Sequence, residues 1–164
     1  MKSHFKSNAV RILEKSGVNF TTHEYNVTDG HIAAVSVAKK IGVEPYRVYK
    51  TLVLSGSDKN IYVAVIPAND FLDYKKVASH FAVKSVTLLK SSELNKFTGY
   101  IHGGCSPVGM KKLYKTVLSD KASNLDTIVV SAGKIGYQAE LSPTDLQNLV
   151  NAEFADILSD TENR

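Results

Sequence analysis

The sequence feature that most limits how this chain folds is a glycine-rich stretch, residues 98–109, which contains four glycines and Pro107. Glycine accepts backbone conformations that other residues avoid, and it lets another molecule approach the main chain closely. Proline fixes its own φ and favours an extended residue before it. We therefore expect a stiff, bent loop with exposed backbone N–H and C=O groups. Such groups bind a phosphate, a ribose or a developing oxyanion, although a long structural turn has the same composition.

The size and composition of the chain are those of one globular domain, which we predict to span residues 1–164. The length is sufficient to bury a sizeable core, and 43% hydrophobic and 22% charged residues are ordinary values. No apolar run approaches the ~18 residues that a membrane helix needs, so no membrane partner is expected. A single cysteine excludes an internal disulfide and is typical of a cytoplasmic protein.

The charge and the motif content narrow the ligand classes. A net charge of +4 favours a polyanion such as nucleic acid through sequence-independent attraction. The histidines and the cysteine do not have the spacing of a zinc site, and the Gly-Lys-Ser/Thr of a P-loop is missing. The sequence therefore predicts no metal and no cofactor.

Hydrophobic periodicity and turn residues predict an α+β fold. Helices are expected over residues 7–15, 31–41, 74–81, 91–97 and 142–150, and strands over 18–25, 48–54, 61–66, 84–89, 112–118, 127–131 and 137–141. Strands outnumber helices and do not alternate with them regularly, which favours a mixed, strongly curved sheet. The acidic tail, residues 156–162, is expected to fray.

A lysine lies on the more apolar face of the strand predicted over residues 48–54. That face consists of Val48, Lys50, Leu52 and Leu54, and we expect it to point inward. A lysine there must extend to solvent, lose its proton or meet an anion, and full burial lowers a lysine pKa by about 3–5 units. Three interpretations stay open. The Lys50 ammonium binds a ligand phosphate, it pairs with an internal acid, or it reaches solvent at the mouth of a barrel.

Two further positions carry reactive groups. Cys105 and His102 lie in the glycine-rich stretch, but a cysteine nucleophile needs an activating base and oxyanion donors, and the spacing alone does not bring these two side chains together. A small buried residue is the favoured interpretation of Cys105. Ser131 ends a strand and begins a second small-residue turn, where its hydroxyl either contacts a ligand or only starts the turn.

Three stretches together resemble the bacterial YbaK/EbsC family of Cys-tRNA(Pro) deacylases, which is related to the editing domain of bacterial prolyl-tRNA synthetases. They are residues 49–52 (YKTL), residues 98–109 with the Gly-x-x-x-Pro motif from Gly103 to Pro107, and residues 130–136, which begin Val-Ser-Ala-Gly. The opening residues 8–13 are similar too, so the resemblance covers about residues 5 to 155. It implies a barrel-like mixed sheet packed with helices, with the site in a cleft.

The resemblance also implies the roles of individual residues. Lys50 matches the lysine that holds the phosphate and ribose of the terminal adenosine, and Gly103 positions the reactive end of the substrate through its backbone; both are predicted to be catalytic. The predicted substrate-binding residues are Tyr25, Thr51, Thr98, Gly99, Gly104, Ser106, Pro107, Ser131 and Gly133. Residues 26–31 are expected to contribute bulk to the pocket, at a place that the sequence does not fix.

The activity that the resemblance implies is trans-editing of tRNA(Pro) mischarged with cysteine, with Cys-tRNA(Cys) as a further candidate substrate. In this mechanism the substrate thiol attacks its own ester carbonyl, so the enzyme needs no nucleophile. Transient association with prolyl-tRNA synthetase is the expected route to the correct tRNA. Two alternatives stay open: hydrolysis of Ala-tRNA(Pro) by water, and a non-catalytic module that binds tRNA or the synthetase.

Overall fold

The computed structural model describes residues 6–31 and 34–160, which combine helices and strands in an α+β architecture. The helices are α1 (Asn8–Ser16), α2 (Ala34–Ile41), α3 (Tyr74–Phe81), α4 (Ser91–Thr98) and α5 (Pro143–Val150). The strands are β1 (Phe20–Glu24), β2 (Tyr49–Gly56), β3 (Ile61–Pro67), β4 (Val86–Leu88), β5 (Lys115–Ser119), β6 (Ile128–Lys134), β7 (Tyr137–Leu141) and β8 (Glu153–Ala155).

Local sequence signals set where several helices begin and end. The Ser7 hydroxyl accepts the N–H of Val10 at the start of α1, and Gly17 ends that helix in the left-handed conformation, at φ 79°. The Asp73 carboxylate accepts two backbone N–H groups at the start of α3. Ser142 caps α5 in the same way. Each cap satisfies N–H groups that have no partner inside the helix, which is worth about 1 kcal/mol.

The strands form two sheets. One has three antiparallel strands in the order β1–β7–β6, and the other has five strands in the order β4–β2–β3–β5–β8. In the larger sheet β2 pairs antiparallel with β3 and β4, whereas β5 pairs parallel with β3 and β8. A parallel bridge between Val48 and Val129 joins the two sheets. The predicted α+β class is confirmed, and its curved assembly consists of two sheets that meet at this bridge.

Both faces of the larger sheet are buried, which corrects the expectation of one inward face for β2. Tyr49 and Val53 pack into the core shared with the smaller sheet, α1 and α5. Leu54 and Ile66 pack on the other side, against α3 and the C-terminal segment. A strand covered on both faces carries apolar residues at successive positions, so alternation along β2 does not identify a single core face.

Several predicted boundaries differ from the structure. The helix predicted from residue 31 begins at Ala34, with residues 32–33 outside the described part, and the strand predicted from residue 112 begins at Lys115. Strand β6 continues to Lys134, through the predicted turn, and its pairing with β7 shifts between Ser131 and Lys134. Such a shift marks an inserted residue that bends the strand.

The C-terminal segment is ordered further than predicted. Strand β8 was not expected, and after it Ile157 and Leu158 are buried against the core beside α3. Leu158 also pairs with Leu72 in an antiparallel bridge, and the Ser159 N–H donates to the carbonyl of Phe71. The prediction that this tail frays was wrong for residues 156–159, because two apolar side chains anchor it. Residues 161 and 162 lie outside the described part.

Candidate functional site

The candidate site begins at an open edge of β2. The Val53 carbonyl accepts the N–H of Leu89, so Val53 directs its backbone groups to the β4 side of the strand. Thr51 lies two residues earlier and directs its backbone groups to the same side. Strand β4 pairs only with Leu54–Gly56, and the bridge to β6 is at Val48. Among the described residues no strand pairs with Thr51 on this side, so its N–H and C=O face a gap between the two sheets.

A cavity of about 320 Å³ occupies this gap, a size within the usual range of small-ligand sites. Its wall combines β2 with residues from α2, α4, the glycine-rich loop and the smaller sheet. The lining includes Tyr25, Ala34, Val37, Lys50, Thr51, Leu52, Val53, Leu89, Ser91, Leu94, His102, Gly103, Cys105, Ser131 and Gln138. The wall mixes aliphatic side chains with a comparable number of polar and aromatic ones.

Lys50 supplies the positive charge of the cavity. Its ammonium makes no ion pair or hydrogen bond with any residue that the structure describes. Burial lowers the pKa of Lys50, and the carboxylate of Asp70 acts in the opposite direction. A partly buried ammonium without a fixed partner gains most when an anion enters the cavity, because the anion replaces the lost hydration.

The glycine-rich loop brings Gly103 to the same cavity. Gly103 has φ 86°, and a Cβ there would lie 3.3 Å from the Ile135 side chain. A Cβ at Gly104 would lie 3.0 Å from the Ile135 backbone nitrogen. The loop therefore packs so closely on the turn between β6 and β7 that two consecutive glycines are required. This contact fixes the main chain of the loop at the cavity that Lys50 and Thr51 also line.

Two hydroxyl groups face the cavity with unused hydrogen-bonding capacity. Thr51 Oγ1 is buried and has no hydrogen-bond partner among the described residues. Ser131 Oγ accepts the N–H of Gly133 at 3.1 Å, which leaves the hydroxyl proton available for a ligand. Both side chains suit a ligand with several oxygen atoms.

Cys105 lines the cavity as a protonated thiol. It is 9% exposed, and burial raises its pKa to about 11. The thiolate is the nucleophilic form of cysteine, so this side chain is unreactive near neutral pH. The geometry supports the interpretation of Cys105 as a small buried residue.

Tyr25 lies at the entrance side of the wall, next to a loop that Lys40 organises. The Lys40 ammonium is 5.8 Å from the centre of the Tyr25 ring and 2.9 Å from the Asp29 carboxylate. It also donates to the carbonyls of Asn26 and His31. None of residues 26–31 lines the cavity, although side chains from this loop were expected in its wall. Tyr25 and residues of α2 line it instead, and the loop is held by its contacts with Lys40.

Of the predicted site residues, Lys50, Gly103, Tyr25, Thr51 and Ser131 meet at one cavity. The remaining six do not line it: Thr98, Gly99, Gly104, Ser106, Pro107 and Gly133. Their contacts shape the loop. Thr98 Oγ1 donates to the Leu94 carbonyl at the end of α4, and Ser106 Oγ accepts the N–H of Val108. Gly133 passes close to the Tyr100 ring, where a Cβ would lie 2.9 Å from a ring carbon.

Gln138 is a cavity residue that the sequence analysis missed. It is 6% exposed on β7, and its side-chain amide makes no hydrogen bond to any described residue. Its amide is not among the fully buried polar atoms that lack a partner, so in the cavity wall it is available to hydrogen-bond a ligand. A polar glutamine inside the strand predicted over residues 137–141 was the feature of the sequence that could have identified it.

Over residues 6–31 and 34–160, no group of three or more His, Cys, Asp or Glu side chains is arranged to hold a metal ion. No helix in the same ranges is long and apolar enough to cross a membrane.

Comparison with known proteins gives consistent results. The family model of the aminoacyl-tRNA editing domain matches residues 31–149. EbsC of Enterococcus faecalis, whose name provisionally assigns it as a Cys-tRNA(Pro)/Cys-tRNA(Cys) deacylase, is 44% identical over 95% of both chains. A proline–tRNA ligase of Lactobacillus helveticus is 27% identical over 82% of this chain, which corresponds to 24% of the ligase.

A solved structure has the same fold. It is described as a candidate trans-editing enzyme for prolyl-tRNA synthetase, and it matches with a TM-score of 0.82 at 21% identity over 94% of this chain and 99% of its own. At this level of identity the match concerns the fold alone. The family-model match and the identity to EbsC together show that the chain belongs to the aminoacyl-tRNA editing domain family.

Proposed function

We propose that this protein is a trans-editing deacylase that removes cysteine from mischarged Cys-tRNA(Pro). One observation carries the proposal: the unpaired Lys50 ammonium, the Gly103 main chain and the open Thr51 edge line the same cavity. A charged tRNA terminus presents a phosphate, a ribose and an ester carbonyl within a few bonds of one another, which matches this set. The similarity to EbsC supports the choice of substrate.

In this proposal each cavity residue has a defined task. Lys50 binds the phosphate and ribose of the terminal adenosine, and Gly103 positions the ester through its backbone. Thr51, Ser131 and Tyr25 contact the substrate. The six predicted residues outside the wall act by holding the glycine-rich loop in place, so their effect on the substrate is indirect.

The reaction uses the thiol of the substrate. Its sulfur forms a bond to the ester carbonyl carbon, the bond from that carbon to the ribose oxygen breaks, and the thiol proton passes to the ribose oxygen. The product is a four-membered thiolactone of cysteine, which water opens. The described wall of the cavity holds no carboxylate to activate a water. Orientation of an internal nucleophile removes the entropic cost of bringing two reactants together.

The need for such an activity follows from pocket selectivity. A synthetase pocket for a small apolar side chain discriminates only weakly against a residue of similar size. We propose that prolyl-tRNA synthetase delivers the mischarged tRNA in a transient complex in the cytoplasm. Support comes from the match to two proline–tRNA ligases, which covers 82% and 65% of this chain.

The test is deacylation of tRNA(Pro) charged with cysteine, alanine, proline or 2-aminobutyrate. The last is close to cysteine in size but lacks a thiol. We expect release of cysteine alone, and a loss of about 100-fold or more in Lys50→Ala. Release of alanine or 2-aminobutyrate at the rate of cysteine would show attack by water, and no release of any amino acid with tight, salt-dependent tRNA binding would show a non-catalytic module.

A further inference from the structure

A second cavity lies next to the first and has no role in the proposal above. Its volume is about 530 Å³, and Tyr49 lines both cavities. Asp70 lies in its wall, and the same carboxylate acts on the Lys50 ammonium. Charged groups of the two cavities, Lys50 in the first and Asp70 in the second, are therefore close enough to interact across the wall that contains Tyr49. This arrangement suggests a ligand with its phosphate at Lys50 and a substituent in each cavity.

The rim of the second cavity carries an aromatic platform and two free amides. The Tyr46 ring is 55% exposed, with the Arg47 guanidinium 5.7 Å from its centre. The side-chain amides of Asn69 and Asn124 line the cavity and make no hydrogen bond to any described residue. An exposed ring stacks on a nucleobase, and an amide presents both donors and an acceptor to its edge.

Tyr49, which lines both cavities, carries a buried hydroxyl that lacks a partner in the described part of the chain. Tyr49 is 3% exposed, and its hydroxyl makes no hydrogen bond with the described residues. Burial, with the nearby carboxylates of Asp70 and Asp120, raises its pKa to about 12. The hydroxyl is therefore a donor near neutral pH. A buried donor without an acceptor is destabilising, and an acceptor on a ligand would remove that cost.

We propose that the second cavity binds the base of the nucleotide preceding the terminal adenosine of the aminoacyl-tRNA, a cytosine in the invariant CCA end. This inference rests on the proposed function, because it takes the Lys50-bound phosphate as the one that joins the last two nucleotides. Cytosine offers a ring face to Tyr46 and a mixed donor and acceptor edge to Asn69 and Asn124. The first cavity then holds the aminoacyl-adenosine.

The experiment compares two substrates that carry the same cysteine ester, cysteinyl-adenosine and cysteinyl-CpA, with the variants Tyr46→Ala and Asn69→Ala/Asn124→Ala. Tyr46→Phe, which keeps the ring, and Asn148→Ala, which removes an exposed amide on α5, are matched controls. We expect kcat/KM of the two test variants on cysteinyl-CpA to fall about tenfold, which corresponds to the stacking energy of one base. Their kcat/KM on cysteinyl-adenosine should be unchanged. The controls should behave as the unaltered protein does.

Several results would overturn the proposal. An equal loss on both substrates would mean that the variants disturb the first cavity, and no loss on either would mean that the second cavity takes no base. A loss seen only when prolyl-tRNA synthetase is present would assign the surface to a protein contact. Binding of uncharged CpA and of adenosine monophosphate, followed by NMR, separates this proposal from the deacylase activity. Tighter binding of CpA, lost in Tyr46→Ala, supports it even if no ester is cleaved.

Discussion

Lys50 on β2 and Gly103 in the loop after α4 line one cavity, although they belong to parts of the chain that share no strand pairing. The close packing of the loop on Ile135 sets their relationship, because it fixes the loop against the turn between β6 and β7. The positive charge for one ligand thus comes from β2, through Lys50, and the main-chain groups come from the glycine-rich loop, through Gly103.

The first prediction concerns the pH dependence of Lys50. Burial lowers its pKa, so activity that needs the ammonium should decline in alkaline solution at a lower pH than the ~10.4 of a free lysine. Lys50→Arg keeps its charge, and any activity it retains should lack this decline. Measured kcat/KM against pH for both proteins checks the prediction, and an identical alkaline decline in the two would contradict it.

The same lysine should reduce stability. Because its pKa is lower in the folded than in the unfolded state, the unfolded state holds the proton more tightly, and stability rises as pH increases between the two values. Lys50→Met should therefore show an equal or higher Tm at pH 7 while losing activity. Thermal unfolding followed by circular dichroism measures this; a markedly lower Tm would show that Lys50 stabilises the fold.

Cys105 should be dispensable for the reaction. Its thiol is protonated near neutral pH, with a pKa of about 11, and the proposed nucleophile belongs to the substrate. Cys105→Ala is expected to keep kcat within about threefold and to lose about 1 kcal/mol of stability from the vacated volume. Single-turnover deacylation and urea unfolding test this. A loss above about 100-fold without unfolding would make Cys105 catalytic.

Two serines form a matched pair that separates ligand contact from loop structure. Ser131 Oγ and Ser106 Oγ each accept the N–H two residues ahead, but only Ser131 lines the cavity. Ser131→Ala should lower kcat/KM by about tenfold, the value of one lost hydrogen bond of about 1.4 kcal/mol. Ser106→Ala should reduce stability by about 1 kcal/mol and lower kcat/KM by less than about threefold, because it affects the substrate only through the loop. Equal kinetic losses would show that both act through the loop.

Gly103 can be tested against a glycine with the same backbone strain. Gly103 and Gly17 have φ 86° and 79°, but a Cβ meets Ile135 at Gly103 and nothing within 4 Å at Gly17. Each alanine variant should lose about 1 kcal/mol of stability from the left-handed backbone. Only Gly103→Ala should also lose deacylation. Activity that falls equally in Gly17→Ala would refute a specific role of the Gly103 main chain.

The partly exposed carboxylate of Glu140, on β7, should contribute to stability in acid. Burial tends to raise the pKa of Glu140, but hydrogen bonds from Thr127, at 2.5 Å, and His23, at 2.8 Å, outweigh it and the pKa is lowered. Its contribution is present above the unfolded-state pKa of about 4.3 and is lost as pH falls through the folded-state value. Glu140→Gln should be about 1 kcal/mol less stable at pH 7 and show a flatter acid profile in urea unfolding.

Local signals in the sequence were sufficient for most elements. The helices predicted over residues 7–15, 74–81 and 142–150 are found within a residue or so of those bounds, with Ser7, Asp73 and Ser142 as their caps. The strand that carries Lys50, the strand that follows it over residues 61–66 and the glycine-rich loop were also predicted. These features depend on residues within a few positions of one another, so the sequence records them directly.

Long-range pairing accounts for what the sequence analysis missed. Strand β8 and the packed residues Ile157 and Leu158 depend on contacts with distant elements. The division into two sheets, the buried second face of β2 and the placement of Gln138 also depend on which strands meet. Six predicted site residues proved to lie behind the cavity wall for the same reason.

The sequence by itself determined the kinds of groups available: a lysine on an apolar strand, a loop that only glycine and proline allow, and a chain similar to an editing family. The tertiary structure alone decided which of these groups meet. Among the described residues it leaves the side of β2 away from β3 without a strand partner at Thr51, in a cavity that Gly103 also lines, and it opens a second cavity beside Tyr49. The physical reason is that a cavity is a gap between elements, and its shape follows from how distant segments pack.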